Sequence, residues 1–133
     1  MSSQENKGYI ICPITGVVNL LSRKWILSIL KDLFQGKKHF NEFKKDKSGL
    51  SNVVLSDTLK YLKAHKIITK KTEISNSQKY TEYILTEKGL KLGKILYEMT
   101  LYGLDELDCV ILSESEKEKI RQEYKQLFNR KYV

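Results

Sequence analysis

Two cysteines, two histidines and a single proline in 133 residues leave several functional classes without their chemistry. Two thiols cannot build a disulfide framework or the four-thiolate cage of a zinc ribbon, so a reducing, cytoplasmic location is expected. His39 and His65 have no His, Cys or carboxylate partner at ligand spacing, so no metal site is expected. One Pro and seven Gly exclude collagen-like and low-complexity chains and disfavour a turn-rich all-β fold. No apolar run approaches the ~18 residues of a membrane span. The polar stretch Met1 to Lys7 lacks the apolar segment of a signal peptide, so no membrane partner is expected. Gly-rich phosphate loops, nucleophile elbows and paired-carboxylate patterns are all missing, and neither catalysis nor a cofactor is expected. The expectation is a soluble single-domain chain, 41% hydrophobic and 30% charged, long enough to bury a core.

The charge that is present is unevenly placed. Of a net +8, residues 37–71 account for nearly all, with ten Lys against three acids. A localised basic field is the footprint of a polyanion-binding surface. A solvated Lys-rich face would give the same count, so the elements carrying the lysines decide between the two.

Cys12-Pro13 predicts a helix start, because Pro at the first helical position forfeits no hydrogen bond. Val17 to Leu21 continue a short apolar helix to about Ser22. A second runs from about Lys24 through Trp25, Ile26, Ile29, Leu30 and Leu33 and stops at Gly36. Phe40 and Phe43 mark a third that breaks at Ser48-Gly49. Ser51 is a cap for a fourth, reaching about His65. Two β-prone runs, Ile67 to Ile74 and Tyr80 to Leu85, flank Asn76-Ser77-Gln78 and predict a hairpin with a somewhat open loop. Thr86-Glu87-Lys88-Gly89 begins a long helical stretch, and Ser113 with Glu116 forms a capping box for a last helix. The fold class is mainly α with a small β-hairpin: a winged helix-turn-helix with additional terminal dimerisation helices.

On the fourth helix, Leu55, Thr58, Leu59 and Leu62 share one side, at the spacing of a stripe packed into a core. Asn52, Val53, Ser56, Asp57 and Lys60 share the other. Short side chains on an exposed helix start let its backbone approach the floor of a major groove about 12 Å wide. Asn can pair with adenine edges, Ser can donate or accept, Asp can accept from cytosine, and Val methyls can meet a thymine methyl. Lys37, Lys38, Lys44, Lys45 and Lys47 flank the preceding helix, where phosphates would lie, and Lys79 adds a charge at the hairpin tip. The DNA-binding set read from the sequence is Lys44, Lys45, Ser51, Asn52, Val53, Ser56, Asp57, Lys60 and Lys79.

Over about residues 12–103 the chain resembles the HxlR-type winged-helix transcriptional regulators of prokaryotes, relatives of the MarR group. The resemblance rests on Cys12-Pro13, Lys24-Trp25, Phe40-Asn41-Glu42-Phe43, Gly49-Leu50-Ser51, Leu55, Leu59, Leu62, Tyr83, Leu85-Thr86-Glu87-Lys88-Gly89 and Tyr102-Gly103. It implies double-stranded DNA and a second copy of the chain as partners. The chain departs from the family pattern at Ser22-Arg23, where a Gly pair is frequent. It departs again at His39 before Phe40, at Ser48, where Pro is frequent, and at Lys47, an apolar position in the family.

Cys12 precedes a helix start, where backbone N–H groups stabilise a thiolate, and Lys7 with Arg23 or Lys24 could add positive potential. In some regulators of the resembled kind the equivalent Cys senses oxidants or electrophiles, so Cys12 is a candidate redox sensor; a small-molecule effector stays open. An unreactive, partly buried Cys12 would fit the sequence as well. Cys109, beside Leu107, Val110 and Ile111, reads as a packing residue. Surplus apolar residues along 90–112, with Ile120, Tyr124, Leu127 and Phe128 beyond and the short helix after Pro13 able to join them, predict dimerisation through the terminal helices.

The expected organisation is a polar N-terminal segment at 1–11, a winged helix-turn-helix domain with a dimerisation helix at 12–112, and a C-terminal helix at 113–133. The expected function is sequence-specific DNA binding by a homodimer on an inverted-repeat operator, with Cys12 making it thiol-responsive. Two alternatives stand beside it: a basic module binding nucleic acid non-specifically, and a winged-helix protein-interaction module.

Overall fold

The computed structural model describes residues 11–131, in which seven helices and one two-stranded antiparallel sheet follow one another. Helix α1 (Pro13–Leu21) has Pro at its first position and extended Cys12 as its cap. Helix α2 (Ile26–Phe34) buries Ile26, Ile29, Leu30, Leu33 and Phe34 and gives way to Gly36, whose φ of +96° closes the helix end. Helix α3 (Phe40–Lys44) buries Phe43. Helix α4 (Asn52–Ala64) is capped by Ser51, whose Oγ accepts from the Val54 amide at 3.1 Å.

The hairpin β1 (Ile68–Ser75) and β2 (Gln78–Leu85) pairs Ile68 with Leu85 at its base and Ser75 with Gln78 at its tip. The expected open loop is instead a two-residue turn, Asn76-Ser77, with φ of +52° and +65°. Gln78 belongs to the ladder rather than to the loop. Positive φ at both turn residues is the conformation that matches the right-handed twist of the flanking strands.

The long helical stretch is divided. Helix α5 (Glu87–Leu90) begins where Thr86 Oγ1 accepts from the Gly89 amide at 3.0 Å. The same hydroxyl donates to the Lys66 carbonyl at 2.6 Å and so ties the end of α4 to the end of the wing. Gly89 is required here, because a Cβ would stand 2.2 Å from the Ile67 carbonyl oxygen. Helix α6 (Leu92–Glu106) follows, then α7 (Glu114–Leu127), which is capped by the Ser113–Glu116 box as expected.

One core gathers α2, α3, α4, the base of the wing, α6 and, from the far end of the chain, Phe128. The Phe128 ring meets Phe34 edge-on at 5.2 Å and Tyr124 at 5.4 Å. Arg130 donates to the Leu33 and Phe34 carbonyls at 3.4 and 3.0 Å, tying the end of the chain to the end of α2. Tyr124, Leu127 and Phe128 are therefore occupied within their own chain and are not part of a surplus apolar surface.

Candidate nucleic-acid interface

The two faces of α4 part as its periodicity dictates. Leu55, Thr58, Leu59 and Leu62 are buried, while Asn52, Val53, Asp57 and Lys60 are exposed and Ser56 is half-buried. Thr58 is accommodated because its hydroxyl donates to the Val54 carbonyl at 2.8 Å. The exposed side chains cluster in the first turns, where free amides point outward and short side chains leave the backbone approachable. Ser51 has a structural duty, since its oxygen caps the helix.

The structure brings two of the sequence-derived residues together: Lys44 Nζ donates to Asn52 Oδ1 at 2.8 Å, across the turn that joins α3 to α4. This leaves the Asn52 amide nitrogen free to donate and holds the Lys44 charge at the mouth of the helix. Lys45 and Lys60 are exposed, and Lys79 is exposed one residue beyond the start of β2. Together they form an exposed basic fringe around a short polar centre.

Two lysines leave that fringe. Lys47 was expected among the phosphate-facing residues, but its side chain is 8% exposed and its Nζ bonds to Asp32 Oδ2. Lys37 Nζ meets the other oxygen, Oδ1, at 3.2 Å. Asp32 itself is buried on α2 among the apolar residues of the core. A buried carboxylate needs compensating charge, and these two lysines supply it, Lys47 from a buried position and Lys37 from a partly exposed one. Sequence reasoning missed Asp32. The signal was there: an acid inside the run Ile29, Leu30, Leu33, Phe34, with no other way to be satisfied.

The wing is braced from its rear. The Tyr83 amide donates to the Lys38 carbonyl at 2.8 Å. His39 Nδ1 bonds to the Thr81 carbonyl at 3.0 Å, and its Nε2 lies 4.0 Å from Glu82. Glu42 closes the start of α3 by accepting from the Lys38 and His39 amides at 3.0 and 2.9 Å. Those two N–H groups, Lys38 first, hold the Glu42 carboxyl below the ordinary carboxylate range. Wing, α3 and α4 therefore form one braced unit rather than separate appendages.

Cys12 is exposed, against the alternative of a half-buried packing residue. The Thr15 amide, with smaller help from the Thr15 hydroxyl and the Ile14 amide, holds its thiol below the ordinary value. The charges expected beside it are otherwise engaged. Arg23 lies 3.8 Å over the Tyr61 ring and Lys24 lies 5.3 Å over Trp25, while Lys7 is outside the described residues. Cys109, expected to pack, is exposed in the turn after α6, because the chain leaves the helix at Leu107 and turns outward. Among the described residues no three ligating side chains gather into a metal site, and no helix is long and apolar enough to cross a membrane.

A second feature stands apart from the basic face. Pro13, Ile14, Val17, Val18 and Leu21 of α1 line an apolar groove with Leu27 of α2 and Ile95 and Met99 of α6.

A family model described as HxlR-like helix-turn-helix matches residues 20–109. An HTH-type transcriptional regulator of Synechocystis is 33% identical over 98 residues, covering 74% of this chain and 72% of the relative. The HTH-type transcriptional regulator YvaP of Bacillus subtilis is 32% identical over 99 residues, covering 74% of this chain and 91% of its own. Among solved structures, the redox regulator HypR in its reduced form superposes with a TM-score of 0.68 at 26% identity, over 74% of this chain and 97% of HypR. The reduced form of the transcriptional regulator YodB from B. subtilis gives 0.66 at 25% identity, over 77% of this chain and 100% of YodB.

Proposed function

This chain belongs to the HxlR-like helix-turn-helix family of transcriptional regulators, and on that premise we propose that it binds DNA sequence-specifically, as a homodimer on an inverted-repeat operator. The observation that carries the reading is the outward face of α4. Asn52, Val53, Asp57 and Lys60 stand exposed there, with Lys44, Lys45 and Lys79 around them. In this reading α4 enters the major groove, and Asn52, Val53, Ser56 and Asp57 meet base edges. Ser51 presents the helix start, Lys60 follows one turn on, and Lys44, Lys45 and Lys79 meet phosphates.

Dimerisation falls to α1 and α6. Among the described residues the groove between them is lined by apolar side chains apart from Ser22, and Ile14, Val18, Met99 and Tyr102 are exposed along it and beside it. A second copy supplies the same apolar surface to itself under two-fold symmetry, which a groove at the edge of one domain requires for self-complementary burial. In domain terms, 12–112 then holds the DNA-reading unit and the dimer helices. The C-terminal stretch of α7 through Arg130 serves as a brace that returns to α2.

Cys12 makes the regulator thiol-responsive in this proposal. It caps α1, its thiol is exposed and held below the ordinary value, and α1 lines the proposed dimer face. Modification there would act on the spacing of the two reading helices. That HypR was solved in reduced and oxidized forms supports asking the question of this chain.

Selection from a random duplex pool, followed by salt-titrated binding of the enriched and scrambled duplexes, tests the core of the reading. A sequence-specific dimer enriches a two-fold symmetric site. A non-specific basic module enriches nothing and binds both duplexes alike, with a steep salt slope. A protein-interaction module binds neither.

A further inference from the structure

Of residues 45–51, which join α3 to α4, only Lys47 and Leu50 turn inward; the other five are exposed. The backbone reverses through two left-handed residues, Asp46 at φ +64° and Gly49 at +89°. Leu50 sets how deep the turn sits, but an apolar contact carries no direction. The bond from Lys47 Nζ to Asp32 Oδ2 does carry one, because it ties the turn to a fixed point on α2, and Lys37 holds the second carboxylate oxygen. On the opposite side of the turn, Lys44 closes onto Asn52. The first turn of α4 is thus pinned from the core side by a buried ion pair and from the outer side by an exposed hydrogen bond.

We propose that Asp32 and Lys47 are positioning residues for base readout: their buried pair fixes the pose of the start of α4, from which Asn52 and Val53 reach base edges. The inference rests on the DNA-binding reading above. Contacts to base edges work only within hydrogen-bond distance and angle, whereas long lysines follow a phosphate through small displacements. Loss of the pin therefore falls on the ratio of specific to random binding and spares general affinity. Lys47, buried and with its charge taken up by Asp32, contributes nothing to the salt slope.

Asp32→Leu alone strands the buried Lys47 ammonium and should lower the melting temperature by about 10 °C or more, whereas Lys47→Met, which leaves Asp32 its pair with Lys37, should lower it less. Removing both need not, and the double variant D32L/K47M should melt within about 5 °C of the parent or above it. Two measurements are made on the parent and the double variant. Binding is compared for the duplex that the parent enriches from a random pool and for a scrambled duplex. Amide hydrogen exchange is followed without DNA at residues 50–55 and along α6. The enriched duplex should bind the double variant about tenfold more weakly, with scrambled binding unchanged. Exchange at 50–55 should rise about tenfold, with α6 unmoved. Asp32→Asn, which keeps the shape and an acceptor, should give an intermediate loss of the same ratio and serves if the double variant does not fold. An unchanged binding ratio overturns the proposal, and so does unchanged exchange at 50–55. Should the parent enrich no duplex at all, the DNA-binding reading fails on its own count, and the exchange result still decides whether the pin exists.

Discussion

Asn52 and Lys45 are seven residues apart and both exposed, yet the chemistry of their side chains separates the roles proposed for them. A planar amide can satisfy two atoms of one base, whereas an ammonium on a flexible stem follows charge wherever a phosphate presents it. Asn52→Ala should therefore cost about 1–3 kcal/mol on the enriched duplex and leave scrambled duplex binding alone. Lys45→Ala should weaken both equally and flatten the salt slope by about one ion. Equal losses for both variants in paired isotherms would show that α4 does not read bases. Lys44 will not behave like Lys45, because it also holds Asn52 at 2.8 Å, so its removal should lower specific binding more than random binding. The thiols offer a second comparison. With Cys12 held below the ordinary value by the Thr15 amide, its alkylation rate should reach half-maximum below the ~8.5 of a free thiol. Measured in a Cys109→Ser background, a midpoint at or above that value would remove the case for a sensor. Position on the α4 wheel was readable from periodicity alone, and so was Ser51 as a cap. The direction of Lys47 was not, since a lysine in a basic stretch gives no sign of the carboxylate fifteen residues earlier that draws it inward.

At the scale of elements, the order of helices and hairpin followed from caps and periodicity, while the joints between them did not. The hairpin tip shows why. Asn76-Ser77-Gln78 has the composition of a loose loop, but pairing of Ser75 with Gln78 compresses the turn to two residues, both at positive φ. Asn tolerates that conformation and Ser less so. Ser77→Gly should accordingly stabilise the protein by about 0.5–1 kcal/mol in a denaturant titration, and a destabilised variant would mean that the turn is not of this type. The start of α3 makes a prediction in pH. Glu42 accepts from the Lys38 and His39 amides, and its folded pKa is lowered relative to the unfolded chain. Such a carboxylate contributes its full stabilisation above the unfolded value of about 4.3 and loses it as pH falls through the lower folded value. Glu116, lowered by the Ser113 amide, adds to the same trend at the start of α7. In Glu42→Gln, the fall in melting temperature below about pH 4 should be shallower than in the parent.

In the proposed dimer the whole molecule divides its apolar surface between itself and a partner. Periodicity could show that residues 90–128 carry more apolar side chains than a helix face needs. It could not show which of them the chain would use, because that depends on α7 folding back so that Phe128 enters the core beside Phe34. Around the α1–α6 groove, Ile14 and Val18 on α1 and Met99 and Tyr102 on α6 stay outside, all exposed in the single chain. Exposure makes them useful for a test, because a charge placed there costs the folded monomer little and a buried interface a great deal. Met99→Glu together with Val18→Glu should leave the thermal unfolding of the monomeric unit near that of the parent while abolishing dimerisation in sedimentation velocity. Binding should then divide by site length. A two-fold site presents its half-sites about one helical turn, ~34 Å, apart, and only a dimer spans them at once. Linking two reading units converts the second contact into an intramolecular event, so the dimer gains affinity on the full site that a monomer forfeits. The variant should bind the full site hardly better than a half-site, whereas the parent should favour the full site by about a hundredfold or more. Full-site binding retained by a demonstrably monomeric variant would mean that one chain suffices for recognition. A variant that remains dimeric would place the interface elsewhere than α1 and α6.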